Sequence, residues 1–183
     1  MASNGDEVTS IRRVVTGQTA DGRNVFTQVE DVEPLKIGHT SWYGVWGWDA
    51  VPALPFHQAD PYVPRSVFPG QNPGAMRLNV VVFPAGHGVV KREGGERSEE
   101  YARLVAAMPA GGEHDRETGI HTTDSVDIAF VLDGEIGLEQ DGGEEVVLRR
   151  GDVLVQNGAR HAWRNRSDKP CTMAFVVNGA LRD

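Results

Sequence analysis

Three residues in the C-terminal half of the chain have the types and spacing for chemistry: His121, Asp127 and His161. Two imidazoles and a carboxylate on one scaffold can hold a divalent metal with positions left open for substrate, or can move a proton as an acid/base pair. His161 has the sharper context. It opens the β-rich run His161-Ala162-Trp163-Arg164-Asn165, which follows Gly151-Asp152-Val153-Leu154-Val155-Gln156 through a turn at Asn157-Gly158. A strand, a glycine turn and a second strand opening on histidine is how a small β-barrel aims one imidazole into its interior. Upstream, His121, Thr123, Ser125 and Asp127 share one parity, so an unbroken strand would turn all four to one face. Trp163 has the parity of His161 and is expected either as an aromatic pocket wall or as a core residue. Arg160 has the opposite parity and is expected in solvent.

The elements that must position these residues are short strands. The chain has 22 glycines and 10 prolines, which fall mostly between β-rich runs, the punctuation of an all-β domain. Strands are predicted at residues 11–15, 24–29, 41–46, 77–83, 127–132, 136–139, 145–148, 153–156, 161–165 and 172–177. One helix is predicted over 98–108: Ser98 caps it, early carboxylates suit the positive end of its dipole, and Pro109 stops it. The helix reads as an insertion, either a packed surface helix or a lid between glycine hinges. Residues 50–75 are rich in proline and aromatics and are expected to wrap the barrel as an arm. Residues 1–76 therefore form an N-terminal β-arm and wrap, and residues 77–183 the barrel, within a single domain.

From Asp127 on, tight turns at Asp133-Gly134, Asp141-Gly142-Gly143, Gly151-Asp152 and Asn157-Gly158 separate successive strands, which suggests an antiparallel double-stranded β-helix, or jelly roll. At these residues the chain resembles the cupin superfamily. Gly151, Gly158, His161 and Asn165 match its second motif, with Gln156 in place of the usual proline. His121, Asp127 and Gly134 match the first, with Thr123 where a second histidine is usual and aspartate in place of glutamate. The resemblance implies a metal held by His121, Asp127 and His161, with iron, zinc, manganese and nickel all open, or a barrel that has kept the fold and a polar pocket without the metal. The run 161–165 and the opening Arg12-Arg13-Val14-Val15-Thr16-Gly17 are also similar to single-domain cupins found beside secondary-metabolite genes, members of which are often labelled oxidoreductases or decarboxylases.

Composition narrows the remaining classes. The formal net charge of −8 and the lack of a basic face argue against nucleic acid as a partner. No run approaches the ~20 apolar residues needed to span a bilayer, so the expectation is a cytoplasmic protein with no membrane partner. Cys171 is the single cysteine, read as a buried structural thiol. Trp42, Tyr43, Trp46 and Trp48 are expected to pack the N-terminal strands on the barrel. His39, His57, His87 and His114 read as surface or loop residues, with His87 the reserve ligand.

Three functions are compatible with these residues. The first is lyase-type chemistry (dehydration, decarboxylation or isomerisation) on a small oxygenated or aromatic metabolite, with His161 and Asp127 as catalytic groups and Thr123 and Trp163 lining the pocket. The second is a non-haem metal dioxygenase or oxidase. The third is a noncatalytic small-molecule-binding barrel. A homodimer is expected in each case.

Overall fold

The computed structural model describes residues 10–56, 67–69, 72–89, 113–115 and 118–182, and over them the protein is all β. β1 (Ile11–Gln18) and β2 (Asn24–Val32) form an antiparallel hairpin, the arm. β3 (Leu35–Ile37), β4 (Thr40–Trp48), β5 (Met76–Phe83), β11 (Cys171–Gly179), β6 (Ser125–Asp133) and β9 (Val153–Gln156) lie side by side in that order as a six-stranded sheet. A second sheet has the order β10 (His161–Arg164), β7 (Glu135–Gln140) and β8 (Glu145–Arg149). All the pairings are antiparallel, as the tight turns require.

The two sheets enclose one apolar core. Val81 and Phe83 of β5, Ala129 and Val131 of β6, and Met173, Phe175 and Val177 of β11 meet Ile136, Leu138, Leu148 and Trp163 from the smaller sheet. Alternation produces this arrangement: in β11, Cys171, Met173, Phe175 and Val177 all turn inward. Burial pushes the Cys171 thiol up to about 12, consistent with an inert structural cysteine. This is the jelly-roll architecture expected from the glycine-turn pattern.

Among the described residues, the arm covers the outer side of the six-stranded sheet over only part of its width. Tyr43 of β4, Val80 and Val82 of β5 and Ala174 of β11 pack beneath Ile11 and Val32 of the arm. Trp42 packs on Phe68, Trp46 on Phe56, and Trp48 donates to the Gly74 carbonyl, so these aromatics serve packing within the subunit. β6 and β9 lie beyond the arm.

Several sequence expectations need adjustment. β3 was not foreseen, since three residues carry too little alternation to register. β4 pairs with β5, so strands on either side of residue 77 belong to one sheet. The helix expected over 98–108 lies outside the described residues. Among the described residues the only helical turn is the 3-10 turn Asp141–Gly143.

Candidate functional site

His121 and His161 are brought together by the backbone. Each donates its N–H to the other's carbonyl, at 2.9 and 3.0 Å, so the pair forms a rung that continues the smaller sheet past β10. Residues opposite each other in an antiparallel pair share a face, and the two rings lie 4.4 Å apart between centroids. On the far side of His121, a hairpin turning at Asp115–Gly119 puts His114 opposite His121, with ring centroids 5.9 Å apart. Gln140 continues the row beyond His161.

The two imidazoles are held in the same way. His161 Nδ1 lies 2.9 Å from the Ala159 carbonyl oxygen and His121 Nδ1 lies 3.1 Å from that of Gly119. A carbonyl can only accept, so each Nδ1 carries the proton and each Nε2 keeps its lone pair. Burial lowers the His121 pKa to about 3, with neighbouring His161, His114 and His87 also disfavouring its charged form. Burial likewise lowers His161. Both rings are therefore neutral at physiological pH.

Asp127 stands on the other sheet. The four-residue parity expected from His121 to Asp127 does not hold, because the chain leaves the smaller sheet after His121 and enters β6 only at Ser125. Thr122, Thr123 and Asp124 make this crossing, all of them buried. Arg182 fixes it by pairing with the Asp124 carboxylate and donating to the carbonyls of Thr123 and Gly158, both at 3.0 Å. Gly158 adopts the left-handed region at φ +63°, and an added Cβ would lie 3.3 Å from the Thr123 carbonyl oxygen, so turn and crossing fit closely. Asp127 faces inward beside Gln156, its partner across β9. Gln156 in turn donates at 3.3 Å to the same Ala159 carbonyl that orients His161.

The Asp127 carboxyl is buried, and its Oδ1 accepts no hydrogen bond from the protein. Burial pushes it up to about 6, against an opposing contribution from the Ser125 hydroxyl. Thr123 is buried at the crossing, where its hydroxyl accepts from Ser125 at 2.9 Å. Trp163 belongs to the apolar core and also meets His161 edge-on, with centroids 5.7 Å apart, so it serves both roles left open by its parity. Arg160 is at the surface, paired with Glu113 and Asp141.

Two histidines read as loop residues belong to this neighbourhood. His114 is placed by the hairpin, and His87 is close enough to act electrostatically on His121. The signal for His114 was present in turn chemistry: Asp115 accepts from the Thr118 hydroxyl at 2.7 Å and Gly119 has φ +75°, a hairpin turn between two histidines. Arg164 and Asn165 were not foreseen as organisers. Arg164 pairs with Glu139 at 2.7 Å and donates to the carbonyls of Gly88 and Thr118. Asn165 is fully buried. It donates through its side chain to the carbonyls of Phe83, Pro84 and Lys169, and through its backbone to that of His87. A cavity of about 500 Å³ lies elsewhere, where Thr16–Gln18 of the arm face Leu54–Phe56, and no titratable side chain lines it.

The donor set has the chemistry of a divalent metal site: two neutral imidazoles with bare Nε2 atoms, backbone-anchored at Nδ1, and a carboxylate oxygen with no hydrogen bond. Among the described residues, no three His, Cys, Asp or Glu side chains converge closely enough to hold an ion. The structure brings His121 and His161 together and leaves Asp127 on the facing sheet.

Comparison with known proteins gives consistent relatives. The Cupin domain family, Cupin_2, matches residues 104–177. Phomopsin biosynthesis cluster protein D of Diaporthe leptostromiformis is 34% identical over 164 residues, 88% of this chain and 74% of that protein. The cupin-domain-containing oxidoreductase srdB of Neurospora crassa is 39% identical over 76 residues, 37% of this chain and 39% of its own. Among solved structures, a Klebsiella pneumoniae protein with a double-stranded beta-helix domain aligns over 81% of this chain and 84% of its own, at 14% identity and a TM-score of 0.45.

Proposed function

Since this chain belongs to the cupin family, we propose that its barrel interior is an enzyme site at which neutral imidazoles and a buried carboxylate move protons on a small oxygenated or aromatic metabolite. The reaction class is lyase-type: dehydration, decarboxylation or isomerisation. The observation that carries this reading is the pair of Nδ1-anchored imidazoles, His121 and His161, on the sheet facing a carboxyl poised at about 6. An imidazole with a free Nε2 lone pair accepts a proton, and a carboxyl titrating near neutrality both takes and returns one at little cost. Trp163 walls the site beside His161 and helps exclude water. The names of relatives support an enzyme of secondary metabolism, since they include biosynthesis-cluster proteins and cupin-domain oxidoreductases.

A divalent metal, for which the described residues as placed do not bring three ligands together, would draw on His121, His161 and Asp127 and would polarise a carbonyl or carboxylate oxygen of the substrate. His114 and His87 keep the surroundings rich in imidazole. The oxidoreductase names of several relatives favour a second reading, a non-haem metal dioxygenase or oxidase.

Metal analysis of the purified protein beside Asp127→Ala and His161→Ala tests the metal assignment. Stoichiometric metal in the parent, lost in both variants, is expected; a metal-free parent prepared without chelators, with both variants unchanged, overturns it. Iron together with substrate-dependent oxygen uptake selects the oxidative reading. Ligand affinity that survives metal removal, with no turnover, replaces both with a binding barrel.

A further inference from the structure

His121, His161 and Asp127 lie where two neighbouring stretches of chain pass from one sheet to the other. One runs from His121 on the smaller sheet through Thr122–Asp124 into β6; beside it, in the opposite direction, the other runs from β9 through residues 157–160 to His161. The ladder that joins them breaks at the bend. Its last rung on the six-stranded sheet is Asp127 opposite Gln156, the next is His121 opposite His161, and among the described residues no backbone rung lies between the two. Carbonyls in such a gap have lost their ladder donors and need others.

One side chain supplies donors to both stretches. Arg182, three residues beyond β11, donates from Nη2 to the carbonyls of Thr123 and Gly158, one on each side of the gap and both at 3.0 Å. Its Nε donates to the Asp124 carboxylate, which is fully buried. The Ala180 amide donates to the Asp124 carbonyl at 3.0 Å, so the segment that carries Arg182 is itself tied to the crossing. Gly158 makes the approach possible: a Cβ there would lie 3.1 Å from Arg182 Nη2. A planar guanidinium suits this place, because its fork of donors reaches several acceptors at once.

Both stretches carry site groups close to where Arg182 holds them. Thr123 stands between His121 and Asp127 in sequence, and Gly158 is followed by Ala159, whose carbonyl anchors His161 Nδ1 and accepts from Gln156. We propose that Arg182 is a positioning residue of the barrel site, a role that rests on the barrel interior being the reactive site. By bridging the gap in the ladder through Thr123, Asp124 and Gly158, it sets how the His121–His161 rung stands relative to Asp127 and keeps His161 in its Nδ1–H form.

Amide hydrogen exchange and proton–nitrogen NMR of the imidazole rings, on the full chain and on Arg182→Gln and Arg182→Lys, test this role. Neither measurement needs substrate or metal, so a failure here is distinct from an absence of turnover. In Arg182→Gln the backbone amides of His121 and His161, the two donors of the rung, are expected to exchange roughly tenfold faster or more, while the protected amides of β11 stay within about twofold of the parent. The His161 ring is expected to pass from a single Nδ1–H tautomer to a mixture. Arg182→Lys keeps a cation beside Asp124 but lacks the fork, so its effects are expected to fall between the two, and it carries the test if Arg182→Gln does not fold. Exchange that rises by one common factor across β11 and the rung overturns the proposal, because it reports a loss of global stability alone. So do unchanged His121 and His161 amides, a His161 ring that keeps its single tautomer in Arg182→Gln, or an Arg182→Lys protein protected as fully as the parent, which would leave only the charge beside Asp124 to account for the effect.

Discussion

On β6 the two faces of one strand are reversed from the usual order. The face turned into the barrel begins Ser125, Asp127 and becomes apolar only at Ala129 and Val131, whereas the face turned outward is Val126, Ile128, Phe130 and Leu132 throughout. On neighbouring β11 the inner face, Cys171, Met173, Phe175 and Val177, is apolar throughout. The difference separates two demands. A strand that only supports a core buries its hydrophobic residues, while β6 leaves polar groups inside, where a site needs them, and keeps apolar ones outside. Burying a carboxyl with one oxygen left without a hydrogen bond is costly, and the rest of the core must offset that cost.

The comparison breaks most sharply at Val131 and Leu132, adjacent residues on opposite faces. Val131→Asp is expected to cost more than ~4 kcal/mol and to prevent soluble folding, because it buries a second unpaired charge. Leu132→Asp is expected to change the stability of the monomer by less than about 1 kcal/mol. Denaturant titration of both variants decides this, and equal losses would show that the outer face is structural.

The next largest effects are those of pH on the metal-free protein. His121 has its folded pKa near 3 and an ordinary value of 6.5, so between those limits the unfolded chain binds a proton that the folded one refuses. Stability therefore falls as pH drops through that window, by ~3 kcal/mol at pH 4. His121→Gln is expected to flatten the fall; a slope unchanged from the parent's would remove His121 as its source.

Asp127 works in the opposite direction. Its folded pKa of about 6 lies above the ordinary 3.8, so the folded state holds a proton between those limits that the unfolded state has lost. Stability therefore declines as pH rises through the window and stays lower above it. Asp127→Asn is expected to stabilise the protein by about 3 kcal/mol at pH 8 and by almost nothing below pH 4. Thermal unfolding at the two pH values measures the difference, and a variant less stable than the parent at pH 8 would mean that the carboxylate has a partner. Smallest of all, Ile128→Thr on the outer face is expected to stay within ~0.5 kcal/mol of the parent in the same denaturant titration.

Much of this was readable in the chain, for local reasons. Strands bounded by Asp-Gly and Asn-Gly turns announce themselves, and from Ser125 onward the alternation of β6 is correct. The crossing at Thr122–Asp124 was not readable, because what bends the chain there is a contact between Asp124 and Arg182, residues 58 apart in sequence. The burial of Arg164 was hidden for a similar reason. Its parity points away from His161, and it is the Glu139 carboxylate together with the carbonyls of Gly88 and Thr118 that makes a buried guanidinium tolerable. Gly88 itself, at φ +69°, has no room for a Cβ beside the Trp163 carbonyl oxygen. Such close approaches are properties of distant segments, and no window of sequence contains them.

The guanidinium of Arg164 also has a consequence for chain length. It binds the carbonyl at Gly88 and the carbonyl at Thr118, so the stretch between those residues begins and ends on one side chain. Closing a loop whose ends are already joined costs little more when the loop grows, about 0.6 kcal/mol for each doubling. Insertions or deletions between the two clamped carbonyls therefore leave His87 and His121, which lie outside the clamp, in place.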